Sequence, residues 1–175
     1  MVPRMVADSE AGALSGVYGE IRARLGLGAV PDVFRAMAAV GQDVLVQNWT
    51  AFRQTVLEGA LPRTLKEMIA LVVSREQGCG YSVRFYSHSL FQLGVSPPVV
   101  RCLAEQGDCP EFTPDLRRLL AFARESCLDP DGADPDSLEM AGFSEEHAVE
   151  VVDTVLIASG IARFAVECGL GAEGD

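Results

Sequence analysis

The sequence predicts an all-α fold, because helix-start signals recur along the chain, apolar residues repeat at helical spacing, and strand signals are few. The start signals combine a first-turn proline with a capping or acidic residue. They occur at Pro31, at Ser96, at Thr113 and at Asp134, next to Pro-Asp or Pro-Pro pairs. Because proline lacks the N–H that a helix interior needs, each of these positions is expected to begin a helix.

Apolar spacing is helical between these starts. The apolar residues step by three and four in two neighbouring segments: Leu65, Met68, Ile69 and Val72, then Val83, Tyr86, Leu90 and Leu93. The last long segment, from Ser144 to about Cys168, is apolar on more than one side. A short buried strand over residues 149–155 is an alternative there, but the acidic start and the length favour a helix. Such a helix is expected to be central or covered by a second subunit, which predicts a homo-oligomer.

Length, composition and charge limit the class of protein. A chain of 175 residues closes one core and is short for two, so we predict one domain over residues 1–175. The 49% hydrophobic and 22% charged content is typical of globular proteins. The net charge of -11 repels phosphate backbones and anionic surfaces, so neither nucleic acid nor a membrane is an expected partner. The N-terminus has no secretory apolar run, and no apolar segment reaches about 20 residues, so we expect the cytoplasm.

The cysteines are odd in number and irregular in spacing. They are Cys79, Cys102, Cys109, Cys127 and Cys168. None belongs to a CxxC pair or to a cluster of cysteine and histidine with metal-ligand spacing. We therefore expect neither a disulfide framework nor a metal site, and we predict no cofactor.

The segment most suited to chemistry spans residues 61–94. A helix that bears Glu67 is followed by Cys79, with a glycine on each side, and then by a second helix. Cys79 is thus expected near a helix start, where free backbone N–H groups and the helix dipole favour a thiolate. Ser82 and Tyr86 follow at steps of three and four, so they share one helix face with Cys79. The sequence predicts that these groups form one site.

This segment resembles the carboxymuconolactone decarboxylase and alkylhydroperoxidase D-like family, in particular its peroxidase-related branch. The family motif is a Glu, eleven residues, a Cys, two residues, a second Cys, three residues and a His, followed by a glycine at the next turn. Glu67 and Cys79 have that spacing and Gly94 is in register, but Ser82 stands at the second cysteine and Tyr86 at the histidine. The resemblance covers most of the chain, and a weak internal echo indicates a second helical hairpin over residues 113–168.

In that family the second cysteine attacks the peroxide, the histidine and the glutamate activate it, and the first cysteine closes a disulfide. The resemblance therefore implies thiol-dependent peroxide reduction. Because Ser82 cannot form a sulfenic acid or a disulfide, the dithiol cycle is expected to be altered or lost. His88 is a candidate displaced base, although two residues along a helix rotate it by about 200° from Tyr86.

Each candidate residue also has an ordinary structural interpretation. Glu67 fits a capping box with the threonine three positions before it, and Cys79 fits a small buried hydrophobe. Ser82 fits either a pocket lining or an ordinary helix serine. Tyr86 fits the core and His88 fits a surface position.

Three functions stay open on the sequence. The first is a peroxide-reducing enzyme in which Cys79 is a single thiol, the substrate is a small molecule, and an external thiol reductant restores the cysteine. The second is a non-redox oligomer that binds a small molecule or a partner. The third is a lyase of the carboxymuconolactone decarboxylase type, for which the polar groups are few.

Overall fold

The computed structural model describes residues 4–134 and 136–171, and this part of the chain consists of helices and connecting turns, without a strand. The all-α prediction is therefore confirmed. The α-helices are α1 (Ser15–Leu25), α2 (Asp32–Val40), α3 (Gln42–Phe52), α4 (Arg63–Glu76), α5 (Gly80–Gln92), α6 (Pro97–Gln106), α7 (Pro114–Leu128), α8 (Asp136–Met140) and α9 (Glu145–Glu167). Two 3₁₀ turns, Asp8–Glu10 and Gly12–Leu14, precede α1, and a π-helical turn, Arg53–Leu57, follows α3. The first-turn proline predicted at position 135 lies outside the described residues.

The predicted helix starts are confirmed, and side chains complete two of them. At the start of α7, Thr113 Oγ1 accepts the N–H of Leu116 at 3.3 Å. At the start of α9, Ser144 Oγ accepts the N–H of His147 at 3.3 Å. The last long segment is one helix and not a strand, because α9 runs unbroken to Glu167. These caps satisfy N–H groups that the first turn leaves free, and so define where each helix begins.

The helix at the centre of the fold is α4. All residues from 66 to 74 are buried, including two charged side chains and one serine. The sequence predicts one buried face for this helix, but its neighbours α5, α6, α7 and α9 cover it on every side. The last helix, α9, packs on α4 yet leaves Val149, Val152 and Leu156 exposed. The central helix is therefore α4, and no other helix of the described chain covers the apolar stripe of α9.

A buried ion pair ties the start of α4 to α9. Lys66 is 1% exposed, and its Nζ donates to Glu150 Oε1 at 2.6 Å and to the carbonyl of Glu58. The other carboxylate oxygen, Glu150 Oε2, accepts the N–H groups of Ala60 and Leu61, each at 3.0 Å. Burial alone would raise the pKa of Glu150, but these hydrogen bonds outweigh it and the pKa lies below its ordinary value. The turn before α4 is thereby held in place.

Aromatic side chains fix the position of α5 against the first helices. Phe34 of α2 packs edge to face on Phe52 of α3, with ring centroids 5.6 Å apart. Phe52 in turn meets Phe85 of α5 at 6.5 Å, and Phe85 meets its neighbour Tyr86 at 5.1 Å. Such edge-to-face contacts add about 1 kcal/mol each to the burial of the rings. They restrict how Tyr86 can sit in the core.

We expect Glu150→Ala to lower the free energy of unfolding by about 3 kcal/mol at neutral pH, because it leaves the buried Lys66 ammonium uncompensated. Urea denaturation measures the change. The matched control is Asp153→Ala, an exposed acid on the same helix, which should stay within about 0.5 kcal/mol of the parent.

The same comparison has a pH dependence. Because the folded pKa of Glu150 is depressed, its contribution is present above the unfolded pKa and is lost as the pH falls through the folded value. The difference between parent and Glu150→Ala should therefore shrink in acid. Equal stability of the Glu150 and Asp153 variants at neutral pH would contradict the role of the ion pair.

Candidate active site

The turn between α4 and α5 places Cys79. Gly78 adopts a left-handed conformation with φ of 65°, which glycine accepts without strain. The N–H of Cys79 then donates to the carbonyl of Ser74 at 3.0 Å, which closes the end of α4. Cys79 itself is the N-cap of α5, so its predicted position near a helix start is confirmed. The chain thus turns back on α4 with the cysteine at the point where the two helices meet.

The sulfur of Cys79 makes two hydrogen bonds with Ser82. It accepts the N–H of Ser82 at 3.4 Å, and the thiol donates to Ser82 Oγ at 3.2 Å. Both residues are 1% exposed. The hydroxyl that stands where the family motif has its second sulfur is therefore in direct contact with the remaining thiol. All five cysteines of the chain are free thiols.

The carboxyl group of Glu67 is buried on α4. Arg63, one turn earlier, donates from Nε to Glu67 Oε1 at 2.7 Å, whereas Oε2 has no hydrogen-bond partner. The helix begins at Arg63 and shows no side-chain cap, so Glu67 is free of the capping-box role. Burial raises the pKa of Glu67, while the hydroxyl of Ser89 and the charge of Arg63 act in the opposite direction. Burial prevails, and the carboxyl holds its proton more tightly than usual.

Tyr86 brings a phenol to the same place. Its side chain is fully buried and its hydroxyl has no hydrogen-bond partner. Its pKa is raised, first by burial and then by the negative charges of Glu67 and Cys79. The phenol is therefore neutral, and it lies close enough to both groups to respond to their charge. Glu67 Oε2 and the Tyr86 hydroxyl are thus two buried oxygens without a hydrogen-bond partner. Buried oxygens of this kind usually bind a small polar molecule.

A cavity of about 290 Å³ opens beside these buried groups on the neighbouring face of α5. Its lining consists of Leu25, Leu27, Tyr81, Arg84, Phe85, His88, Ser89 and Gln92. The cavity reaches the buried groups at Ser89, whose Oγ accepts from Arg63 Nη2 at 3.3 Å. His88 is exposed in this lining and is not among the buried groups, in keeping with its rotation away from Tyr86.

Three residues of this neighbourhood are absent from the sequence prediction. Arg63 lies one helical turn before Glu67, and Ser89 lies two turns after Ser82, so both could have been found from helical spacing. Tyr81 carries no such signal. Its hydroxyl accepts the N–H of Val33 at 3.1 Å, a contact between residues 48 positions apart, and burial raises its pKa to about 12. Tyr81 thereby joins the wall of the cavity to the first turn of α2.

Within residues 4–134 and 136–171, no three histidine, cysteine or acidic side chains are arranged to hold a metal ion. None of the helices described there combines the length and the apolar character needed to cross a bilayer.

The all-α fold that carries the buried Cys79 thiol and the buried Glu67 carboxyl is similar to that of alkylhydroperoxidase D-like, peroxidase-related proteins. Residues 43–125 match the model of the carboxymuconolactone decarboxylase family. The chain is 31% identical over 155 residues to alkyl hydroperoxide reductase Rv2159c of Mycobacterium tuberculosis, across 89% of this chain and 42% of that relative. The resemblance to this family that the Glu67 and Cys79 spacing indicates is confirmed by the match over residues 43–125 and by this relative.

The chain is also similar to proteins of other names. It is 24% identical to the uncharacterized protein YdfG of Bacillus subtilis over 104 residues, or 59% of this chain and 71% of that one. A cysteine-to-alanine variant of the debrominase Bmp8, in complex with 2,3,4-tribromopyrrole, has a TM-score of 0.82 at 23% identity, over 96% of this chain and 89% of the other. An uncharacterized peroxidase-related protein from Silicibacter sp. TM1040 has a TM-score of 0.81 at 20% identity, over 90% and 83%. These structures establish the fold alone.

Two buried tyrosines allow a test of the unpaired phenol. Tyr18 donates its hydroxyl hydrogen to the carbonyl of Val6 at 3.1 Å, whereas Tyr86 has no partner. We expect Tyr18→Phe to lower the free energy of unfolding by about 1 kcal/mol and Tyr86→Phe to leave it unchanged within about 0.5 kcal/mol. Denaturant titration of both variants measures this. A loss at Tyr86 as large as that at Tyr18 would show that the Tyr86 hydroxyl is paired in solution.

Proposed function

We propose that this protein reduces hydroperoxides through the single thiol of Cys79, and that an external thiol restores it. The observation that carries the proposal is the position of the Cys79 sulfur at the N-terminal end of α5, close enough to the buried Tyr86 phenol to raise its pKa, as Glu67 also does. Backbone N–H groups at a helix start stabilise a thiolate. The similarity to a protein named alkyl hydroperoxide reductase supports the choice of substrate class.

In the first step, Glu67 carries a proton. Its unpaired oxygen accepts the proton of the Cys79 thiol, and the thiolate attacks the terminal oxygen of the hydroperoxide. The O–O bond breaks, the sulfur becomes a sulfenic acid, and Glu67 returns the proton to the departing alkoxide, which leaves as an alcohol. A raised pKa suits this role, because the pKa of the carboxyl then lies closer to the ordinary pKa of a thiol, and proton exchange between two such groups is easier. The Tyr86 hydroxyl is available to donate to the oxygen that develops charge.

In the second step, the reductant comes from outside the chain. Ser82 is in contact with the sulfur but cannot displace water from a sulfenic acid to form a disulfide. A small external thiol therefore attacks the Cys79 sulfenic acid and releases water. A second external thiol then attacks this mixed disulfide, which frees Cys79 and yields the oxidised reductant.

The cavity beside the site is suited to the organic part of the substrate. Its wall combines apolar side chains, Leu25, Leu27 and Phe85, with the polar ends of Arg84, His88 and Gln92. An alkyl or aromatic group placed there would have its polar end near Ser89, and hence near Glu67. His88 enters the proposal as a residue that contacts substrate at the mouth of this cavity.

A second candidate is non-redox binding of a small apolar molecule in the same cavity. The observation that favours it is the burial of Cys79, which is 1% exposed. A peroxide must displace neighbouring side chains to reach such a thiol, whereas a ligand of the cavity need not. The lyase function rests on family membership only.

The assembly state and the compartment are also part of the proposal. The exposed apolar stripe of α9, at Val149, Val152 and Leu156, is suited to contact with a second copy of the chain. Sedimentation analysis tests this, and a chain that is monomeric at micromolar concentration would contradict the proposed homo-oligomer. Five free cysteines and an external thiol reductant fit the reducing conditions of the cytoplasm.

The decisive experiment compares two cysteine variants. In an assay that contains an alkyl hydroperoxide and an excess of small thiol, we expect Cys79→Ser to lose most of the turnover of the parent protein. The matched control is Cys127→Ser, since Cys127 is a partly buried thiol that contacts Gln77 and lies outside the site. The control should keep the parent rate.

Each result of this assay decides between the candidates. Turnover by Cys79→Ser at the parent rate would remove Cys79 as the reactive thiol. A parent protein without turnover that nevertheless binds an apolar ligand in the cavity would favour the non-redox function.

A further inference from the structure

Away from the Cys79 site, two other cysteines meet at the end of α6. Cys102 lies on α6, and Cys109 follows in the loop that leads to α7. The thiol of Cys102 donates to the carbonyl oxygen of Asp108 at 3.2 Å. Since that carbonyl group forms the peptide bond with Cys109, the two cysteines are neighbours in space as well as close in sequence.

The loop is held in the conformation that brings them together. Gly107 takes a left-handed φ of 71°, and its N–H donates to the carbonyl of Leu103 at 2.8 Å. The carboxylate of Asp108 accepts the N–H of Cys109 at 2.8 Å and the Nε of Arg117, also at 2.8 Å. Cys109 is therefore fixed from both sides and is 3% exposed, whereas Cys102 is partly exposed.

The charges around the pair show that the two thiols affect each other. The pKa of Cys102 is raised, first by burial, then by its hydrogen bond with the Cys109 thiol, and further by Asp108 and Glu111. On the other side, the guanidinium of Arg117 lies near the Cys109 sulfur and raises the local positive potential. Cys109 thus lies between the Cys102 thiol and the Arg117 guanidinium.

We propose that Cys102 and Cys109 form a reversible intrachain disulfide, a second redox site that a hydroperoxide oxidises. The more exposed Cys102, as its thiolate, attacks the terminal oxygen of the peroxide, the O–O bond breaks, and an alcohol leaves after it takes up a proton. The Cys109 thiolate then attacks the Cys102 sulfenic acid, an S–S bond forms and water leaves. In total two thiols lose two electrons and two protons, and the peroxide gains both.

The position of this pair gives the disulfide a structural effect. The C-terminal end of α6 contacts the C-terminal end of α4, where Arg75 Nε donates to the carbonyl of Glu105 at 3.2 Å. Arg75 lies about one helical turn before Gly78 and Cys79 in the sequence. The disulfide would close a short ring beside this contact, so oxidation limits the movement of the segment that leads into the Cys79 site.

The sequence makes the test direct. Trypsin cleaves after Arg101 and after Arg117, so both thiols fall in one peptide, residues 102–117, which holds no other cysteine. Full-length Cys79→Ser is treated with an alkyl hydroperoxide, alkylated without reduction, digested, and analysed by mass spectrometry. We expect the peptide to be lighter by two hydrogen atoms and free of the alkyl label, and a small thiol to restore two labelled sites.

The matched variant is Cys102→Ser in the same Cys79→Ser background, in which Cys109 should take up one label after peroxide treatment. Two labels on the peptide of the parent background after oxidation would overturn the proposal, as would disulfides to other chains or to Cys127. Since Cys79 is absent from both proteins, the outcome does not depend on the proposed turnover at that residue.

Discussion

The burial of one carboxyl group, that of Glu67, is the constraint on which the site depends. The helix that carries it is surrounded by other helices, so the group cannot turn to solvent. Its single ionic partner, Arg63, reaches one oxygen and leaves the other without a hydrogen bond. Because burial then dominates, the pKa rises, and the chain retains a buried carboxyl oxygen without a hydrogen-bond partner, which the proposed function uses as a proton acceptor.

A second acid shows what the same core does when partners are complete. Glu150 is bound by the Lys66 ammonium and by two backbone N–H groups, and its pKa is lowered. Lys66 and Glu67 are adjacent on α4. The lysine forms a fully hydrogen-bonded ion pair, whereas the glutamate keeps one oxygen without a hydrogen-bond partner. The difference lies in the number of donors that each carboxylate meets, and it separates a group that stabilises the fold from one suited to chemistry.

The replacement of a sulfur by an oxygen at Ser82 changes which chemistry is available. The hydroxyl keeps the contact with Cys79 and can hold the thiol in one orientation. It cannot attack a sulfenic acid at Cys79 as a thiolate would, so Ser82 cannot form a disulfide with an oxidised Cys79. The proposed cycle therefore takes its electrons from an external thiol, whereas Cys102 at the end of α6 and Cys109 in the following loop lie close to each other.

Much of the fold was predictable from local signals, and the site was predictable in part. Capping residues such as Thr113 and Ser144 act within four residues, so the sequence shows them directly. The burial of residues 66–74 of α4 on every side was not predictable, because two of the covering helices, α7 and α9, lie far from α4 in sequence. The motif spacing placed Glu67 and Cys79, but Tyr81 entered the cavity wall through a contact with α2 that no local pattern encodes.

The titration of the Glu67 carboxyl group tests the central claim most directly. Side-chain carboxyl resonances followed by NMR against pH, with Glu67→Gln to assign the signal, give the midpoint. We predict that Glu67 titrates above the ordinary glutamate value of about 4.3, while Glu150 titrates below it. A midpoint for Glu67 at or below that ordinary value would show that its oxygens are fully paired, and the carboxyl could not serve as the proton carrier of the thiol.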